Sequence, residues 1–485
     1  MDNKLRGIIK HIRITKESAL NTIGMCQFCI LLVYILQPIL YIALSHAFYG
    51  KIKYFLSGLI QTYSPSYFLW HRPLIFGCCW LLFLLLAIYG IINRPQKIKI
   101  SKQPTIEFIK SRMEFVLFGL LFVWITFAMF FSRDFLRSRD EYIYYICYAI
   151  LFVSLLLVET KYKRWLLEAF LWVGTIISLL AMFKDGFGLP GPVSFIEPES
   201  AIFVNRNYYG YYVAIITAIL AAKLYKEKNI WLQVCYGVAF AINEFALLIT
   251  LTRGAFLGVL VALVVMLIVF PIQEKKVSYK LGLIPAIFIA VFLVLEYSSI
   301  TDFNGRISLL ITDILKFLRI GNIPQEEADS IGSGRIRIWK EIIRIIKSSP
   351  IVGVGIDNTV GPHNEFLQLA AYSGIPALIL YVAALATMYI KLLLKRAQLT
   401  NVQLIGTIGA VAYTVSSFFG NGMSPTIPFY IIVLAFAMSY EKPQKLCENK
   451  EEGGVDLASK EANLAINEQP ASDNPHPFFN NFTKI

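Results

Sequence analysis

The sequence predicts an all-α integral membrane protein with about 12 transmembrane helices, and three observations carry that reading. Hydrophobic residues make up 56% of the 485 residues and charged residues only 16%, where a soluble chain would carry about 25% charged. The mean hydropathy is +0.60, and the apolar residues are gathered into long runs rather than spread evenly, as bilayer-spanning helices require. The basic residues fall in the short connections between runs, which is a topology signal. The net charge of +13 therefore reflects orientation in a bilayer, and no nucleic-acid partner is expected.

Twelve apolar runs are long enough to span, near residues 23–48, 73–93, 115–132, 142–158, 165–183, 208–225, 230–249, 254–272, 281–297, 374–394, 402–419 and 425–440. With the N-terminus inside, the inside connections 4–16, 94–112, 161–164, 223–228, 275–280 and 391–396 are all basic, and the outside connections are poorer in Lys and Arg. Both termini are then cytoplasmic. Residues 1–22 form a basic cytoplasmic N-terminus, 23–297 carry spans one to nine, 298–373 form a large extracytoplasmic loop, and 374–440 carry spans ten to twelve. The aromatic segment 54–70 reads as interfacial, and the polar tail 441–485 as cytoplasmic and disordered. No cleavable signal peptide is expected, because the first apolar run is too long for one. Of the seven cysteines, six lie in apolar runs. Cys26 and Cys29 have CxxC spacing, but inside a lipid-facing run they read as small apolar filler.

The loop 298–373 is the longest polar interval and the expected seat of the chemistry. Residues 334–348 read as an amphipathic helix. Ile338, Trp339, Ile342, Ile345 and Ile346 form one stripe, with Arg337, Lys340, Glu341, Arg344 and Lys347 opposite. Arg335, three and four residues before Ile338 and Trp339, projects from the apolar side, where a cation needs an anion or a ring of acceptors. It also lies in a first turn, where backbone N–H groups favour anions. The plainer alternative is a cation snorkelling at a helix end. Gly353-Val354-Gly355 after Pro350 reads as a turn. His363 stands where a helix leads into a span, with Pro362 suited to the first turn. A neutral imidazole there can take a proton from a hydroxyl. Arg253, within Thr252-Arg253-Gly254, is the only charge of a short outer hairpin. Asn205-Arg206-Asn207 opens span six. Glu244 is a mid-span carboxyl, either functional or a protonated or paired structural residue.

These residues resemble a known signature. Ser333-Gly334-Arg335 with Trp339, then Pro350, Gly353 and Gly355, then His363-Asn364-Glu365-Phe366-Leu367-Gln368 and Gly374 are similar in order and spacing to the O-antigen ligase and O-antigen polymerase superfamily. Thr252-Arg253-Gly254 and Asn205-Arg206-Asn207 resemble its earlier landmarks. The resemblance implies a GT-C-like membrane glycosyltransferase of the bacterial plasma (inner) membrane. Such an enzyme takes a glycan from undecaprenyl pyrophosphate on the extracytoplasmic side and passes it to a hydroxyl on lipid A–core or on another glycan. It implies no cofactor and no metal. Arg253 and Arg335 would hold the pyrophosphate and His363 would act as base. Asn205, Arg206, Trp339, Asn364 and Arg337 would contact substrate. Asp357 or Glu365 would be near enough in sequence to orient the imidazole. The competing class is a polysaccharide or lipid-linked oligosaccharide transporter, which favours charges within several spans and a midplane site.

Overall fold

The computed structural model describes residues 17–43, 67–93, 112–186, 201–203, 205–297, 315, 334–395, 399–422 and 425–439. The tail after 440 and most of 298–333 lie outside the described residues. The described residues of the twelve apolar runs fall mainly on helices. In chain order these are α1 (Glu17–Ala43), α2 (Tyr67–Ile92), α3 (Met113–Met129), α4 (Phe135–Leu157), α5 (Thr160–Gly186), α6 (Arg206–Lys226), α7 (Ile230–Ile249), α8 (Arg253–Glu274) and α9 (Lys280–Tyr297). The loop helix α10 (Arg335–Ser348) follows, then α11 (Glu365–Leu394), α12 (Asn401–Ser416) and α13 (Ile427–Ala437). Nine of the described helices are long and apolar enough to cross a bilayer; α3 and α13 are shorter, and α6 falls outside that set. The chain is thus a multi-pass, all-helical membrane protein, with fewer qualifying spans than the 12 runs suggest.

The core forms around α6, which is buried along almost its whole length and packs on α5, α7, α8 and α12. Close packing of apolar helices needs small residues at the contact. Gly258 on α8 supplies one: a Cβ there would lie 2.3 Å from Ala412 O on α12. Cys26 and Cys29 are both exposed on α1.

The span expected from residue 374 begins earlier, because α11 runs from Glu365 and is broken a third of the way along at Gly374 (φ 85°, ψ 170°). The cause is in the sequence. Pro376 has no N–H to donate and disfavours helical backbone before it, and only glycine accepts such a φ/ψ readily. The break orphans carbonyls, and buried carbonyls need partners. Val354 N donates to Ala371 O at 2.8 Å and Gly355 N to Tyr372 O at 3.1 Å. Trp124 Nε1 donates to Ser373 O at 2.9 Å. In return Ile375 N donates to Pro350 O at 2.8 Å. The Gly353-Val354-Gly355 segment is therefore a backbone splint for the broken helix. A Cβ on Gly355 (φ 103°) would meet Ser132 Oγ at 1.9 Å. The α3–α4 turn clamps the splint from the other side. Arg133 N donates to Val354 O at 3.0 Å, Asn358 Nδ2 to Ser132 Oγ at 2.7 Å, and Ser138 Oγ to Ile356 O at 2.9 Å.

Candidate functional site

The loop helix α10 is seated as its pattern requires. Ile342 and Ile346 are buried against Ala370 and Ala371 of α11, with Ile338 and Ile345 alongside. Arg337, Lys340 and Arg344 are exposed on the opposite face. Arg335 is half-buried, on the inward side. No carboxylate pairs with it among the described residues. Its electrostatic neighbours are the Tyr211 hydroxyl of α6 and the Arg253 guanidinium at the start of α8. Burial, opposed by Tyr211 and reinforced by Arg253, holds Arg335 below the ordinary arginine value.

Arg253 reaches this position because the α7–α8 turn is packed on the first turn of α6. Thr252 Oγ1 donates to Arg206 O at 3.2 Å. A Cβ on Gly210 would lie 2.8 Å from Thr252, so a larger residue in α6 would push the turn away. Asn205 caps α6, accepting from Asn207 N at 2.8 Å. The two early landmarks of the sequence thus meet in space.

His363 completes the group. It is half-buried, and its ring makes no hydrogen bond among the described residues. Burial, followed by the charge of Arg335, lowers its pKa from the ordinary 6.5. The imidazole is therefore neutral at neutral pH and free to accept a proton. Its backbone is in the left-handed region (φ 51°), a strained setting for a residue with a side chain. Three contacts hold it there. Asn421 Oδ1 accepts from His363 N at 2.5 Å. Trp339 Nε1 donates to Pro362 O at 2.8 Å. Asn364 caps α11, accepting from Leu367 N at 2.9 Å. Asn421 is held in place by the next residue: Gly422 N donates to Gln368 Oε1 at 2.8 Å, and Gln368 Nε2 donates back to Gly422 O at 3.2 Å.

Arg253, Arg335 and His363 are thus brought together. Trp339 and Asn364 are spent on positioning the His363 loop, Asn205 on a helix cap, and Arg206 contributes its backbone carbonyl to the Thr252 contact. Arg337 points away. Neither carboxylate neighbour in sequence bonds the imidazole. Asp357 pairs with Arg137 at 2.8 Å, and Glu365 Oε1 accepts from Tyr381 at 3.3 Å. Two contributors were missed from sequence. Tyr211, whose hydroxyl donates to Phe419 O at 2.9 Å, is one of several tyrosines in α6 and carries no distinguishing signal. Asn421 had one: it is a polar residue between two glycines in a short connection between apolar spans. Among the described residues, no three His, Cys, Asp or Glu side chains group as metal ligands.

An apolar helical bundle that gathers two guanidinium groups and a neutral imidazole under one loop helix defines a membrane protein equipped to hold an anion beside a base. Residues 237–382, from α7 to the second half of α11, match the family model described as O-antigen ligase. The match covers 146 of the 485 residues, and over that stretch the chain is similar to the O-antigen ligase family. No curated protein matches the chain.

Proposed function

We propose that the protein is a metal-independent, inverting glycosyltransferase of the bacterial inner membrane. It moves a glycan from undecaprenyl pyrophosphate to an acceptor hydroxyl at the extracytoplasmic face, with residues 298–373 as the catalytic loop. The observation that carries the reading is Arg335, an inward-facing cation with no carboxylate partner among the described residues, set between Arg253 and His363. Two like charges brought together under a loop helix repel each other, and a diphosphate turns that cost into binding. Guanidinium groups suit it because their charge persists and their fork matches phosphate oxygens.

In the reaction, the acceptor oxygen attacks the anomeric carbon from the side opposite the leaving group. The O–C1 bond forms as the C1–O bond to phosphate breaks. His363 takes the hydroxyl proton, and the electron pair of the broken bond goes to the pyrophosphate, where Arg253 and Arg335 meet the developing charge. The configuration at C1 inverts. The acceptor is lipid A–core in a ligase and a second glycan in a polymerase.

The test is glycan transfer by purified protein, supported by mass analysis of lipid-linked glycans in cells with and without the gene. Arg335→Ala and His363→Ala are expected to abolish transfer without loss of membrane insertion, while Arg337→Ala stays within a few-fold of wild type. EDTA is expected to leave activity intact. Equal damage from Arg337→Ala and Arg335→Ala would overturn the assignment.

A further inference from the structure

A cavity of about 420 Å³ lies between α3, α4, α11 and α13. It runs from Glu365 and Gln368, in the first turn of α11, to Phe115 in the first turn of α3 and Leu156 in the last turn of α4. Its lining steps down α4 from Tyr145 to Leu156, roughly 16 Å at the helical rise. The walls are aromatic and aliphatic side chains. Gly119 of α3 and Val153 of α4 line it and are exposed, so it opens sideways between two helices of the bundle. A hydrocarbon chain can enter by that route from a bilayer.

The polar end decides what the chain carries. It lies below the His363 loop, because Gln368 holds Gly422 and the adjoining Asn421 holds His363. Tyr381 donates to Glu365 Oε1 at 3.3 Å, and the Tyr413 hydroxyl also faces the carboxyl. Glu365 Oε2 makes no hydrogen bond among the described residues. A buried carboxyl with one oxygen unpartnered calls for a polar partner, and a hydroxyl can serve it as donor or acceptor. It offers no cation to a diphosphate, which brings acceptors and negative charge. The anion-holding groups, Arg253 and Arg335, belong to α8 and α10, which do not line this cavity.

We propose that this cavity holds the hydrocarbon chain of a hydroxyl-bearing amphiphile whose head hydrogen-bonds Glu365. On the glycan-transfer reading above, from which it takes this role, the occupant is the lipid anchor of the acceptor, and the tail of the pyrophosphate donor lies elsewhere. His363 then stands between the two substrates, with the arginines on one side and the acceptor lipid on the other.

The test uses the full chain in nanodiscs and a long-chain alcohol carrying a diazirine. Photolabelling is expected on peptides of α3, α4 and α13. Gly119→Phe is the blocking variant, because a Cβ there meets nothing within 4 Å and the ring enters the cavity without a backbone clash. It is expected to remove most of the labelling. Glu365→Leu is expected to weaken alcohol binding about fivefold, the worth of one ordinary hydrogen bond, and to leave labelling by a diazirine alkane of equal length unchanged. Undecaprenyl phosphate is expected not to displace the alcohol. Unchanged labelling in Gly119→Phe would overturn the proposal, and so would displacement by undecaprenyl phosphate, which would make the cavity the donor's groove. Labelling needs no turnover. If it fails while glycan transfer proceeds, only this inference falls; if it succeeds while transfer is absent, the cavity assignment stands and the enzymatic reading falls.

Discussion

Asn421→Ala tests whether the strained backbone of His363 matters to the chemistry. The substitution removes the acceptor that takes the His363 N–H at 2.5 Å. Leaving a partly buried N–H without a partner costs about 1–3 kcal/mol. Holding a residue with a side chain in the left-handed region costs a similar amount, so His363, at φ 51°, is expected to relax once its tether is gone. If the lost bond is felt wholly in the placement of the imidazole, transfer slows roughly 5- to 150-fold. The assay is kcat for glycan transfer by the purified protein. Asn421→Ala is expected to lower kcat by that factor, because it acts through the placement of the His363 ring. Asn421→Asp keeps an acceptor oxygen and is expected to recover much of the rate. Wild-type kcat in Asn421→Ala would refute the reasoning.

The remaining expectations concern pH, the broken helix and the buried carboxyl. His363 must be neutral to act as base, and burial with Arg335 lowers its pKa from 6.5; the acid limb of the rate is therefore expected to have its midpoint below pH 6.5, and a midpoint above 6.5 in a kcat/KM profile would contradict this. Gly374→Ala would place a Cβ 1.8 Å from Ile351 O and force alanine into a glycine-only conformation, so loss of several kcal/mol and a sharply lower Tm in detergent are expected. Glu244 is fully buried, and neither carboxyl oxygen has a hydrogen-bond partner among the described residues; Glu244→Gln therefore loses no ion pair and is expected to leave both Tm and transfer close to wild type.

The face of α10 could be read directly. A helix repeats every 3.6 residues, so the positions of Ile338, Ile342, Ile345 and Ile346 by themselves set Arg335 inward and Arg337 outward. The apolar runs announced the helices for a similar reason, since a bilayer demands long unbroken stretches. The carboxylates proved illegible: Asp357 and Glu365 flank His363 in sequence, yet one turns to Arg137 and the other to Tyr381. Side-chain direction in a loop has no period from which to infer it.

Sequence alone thus determined the membrane class, the loop helix with its two faces, and the residues carrying charge and a titratable ring. Only tertiary structure decided that Arg253, more than eighty positions before Arg335, stands beside it; that Asn421 from the far end of the chain holds the His363 backbone; and that Gly353-Val354-Gly355 splints a broken helix. Periodicity and composition are local properties of a chain and survive in a linear reading. Which orphaned carbonyl finds which amide, and which two cations are forced together, depends on contacts between segments far apart in sequence, and these exist only once the helices have packed.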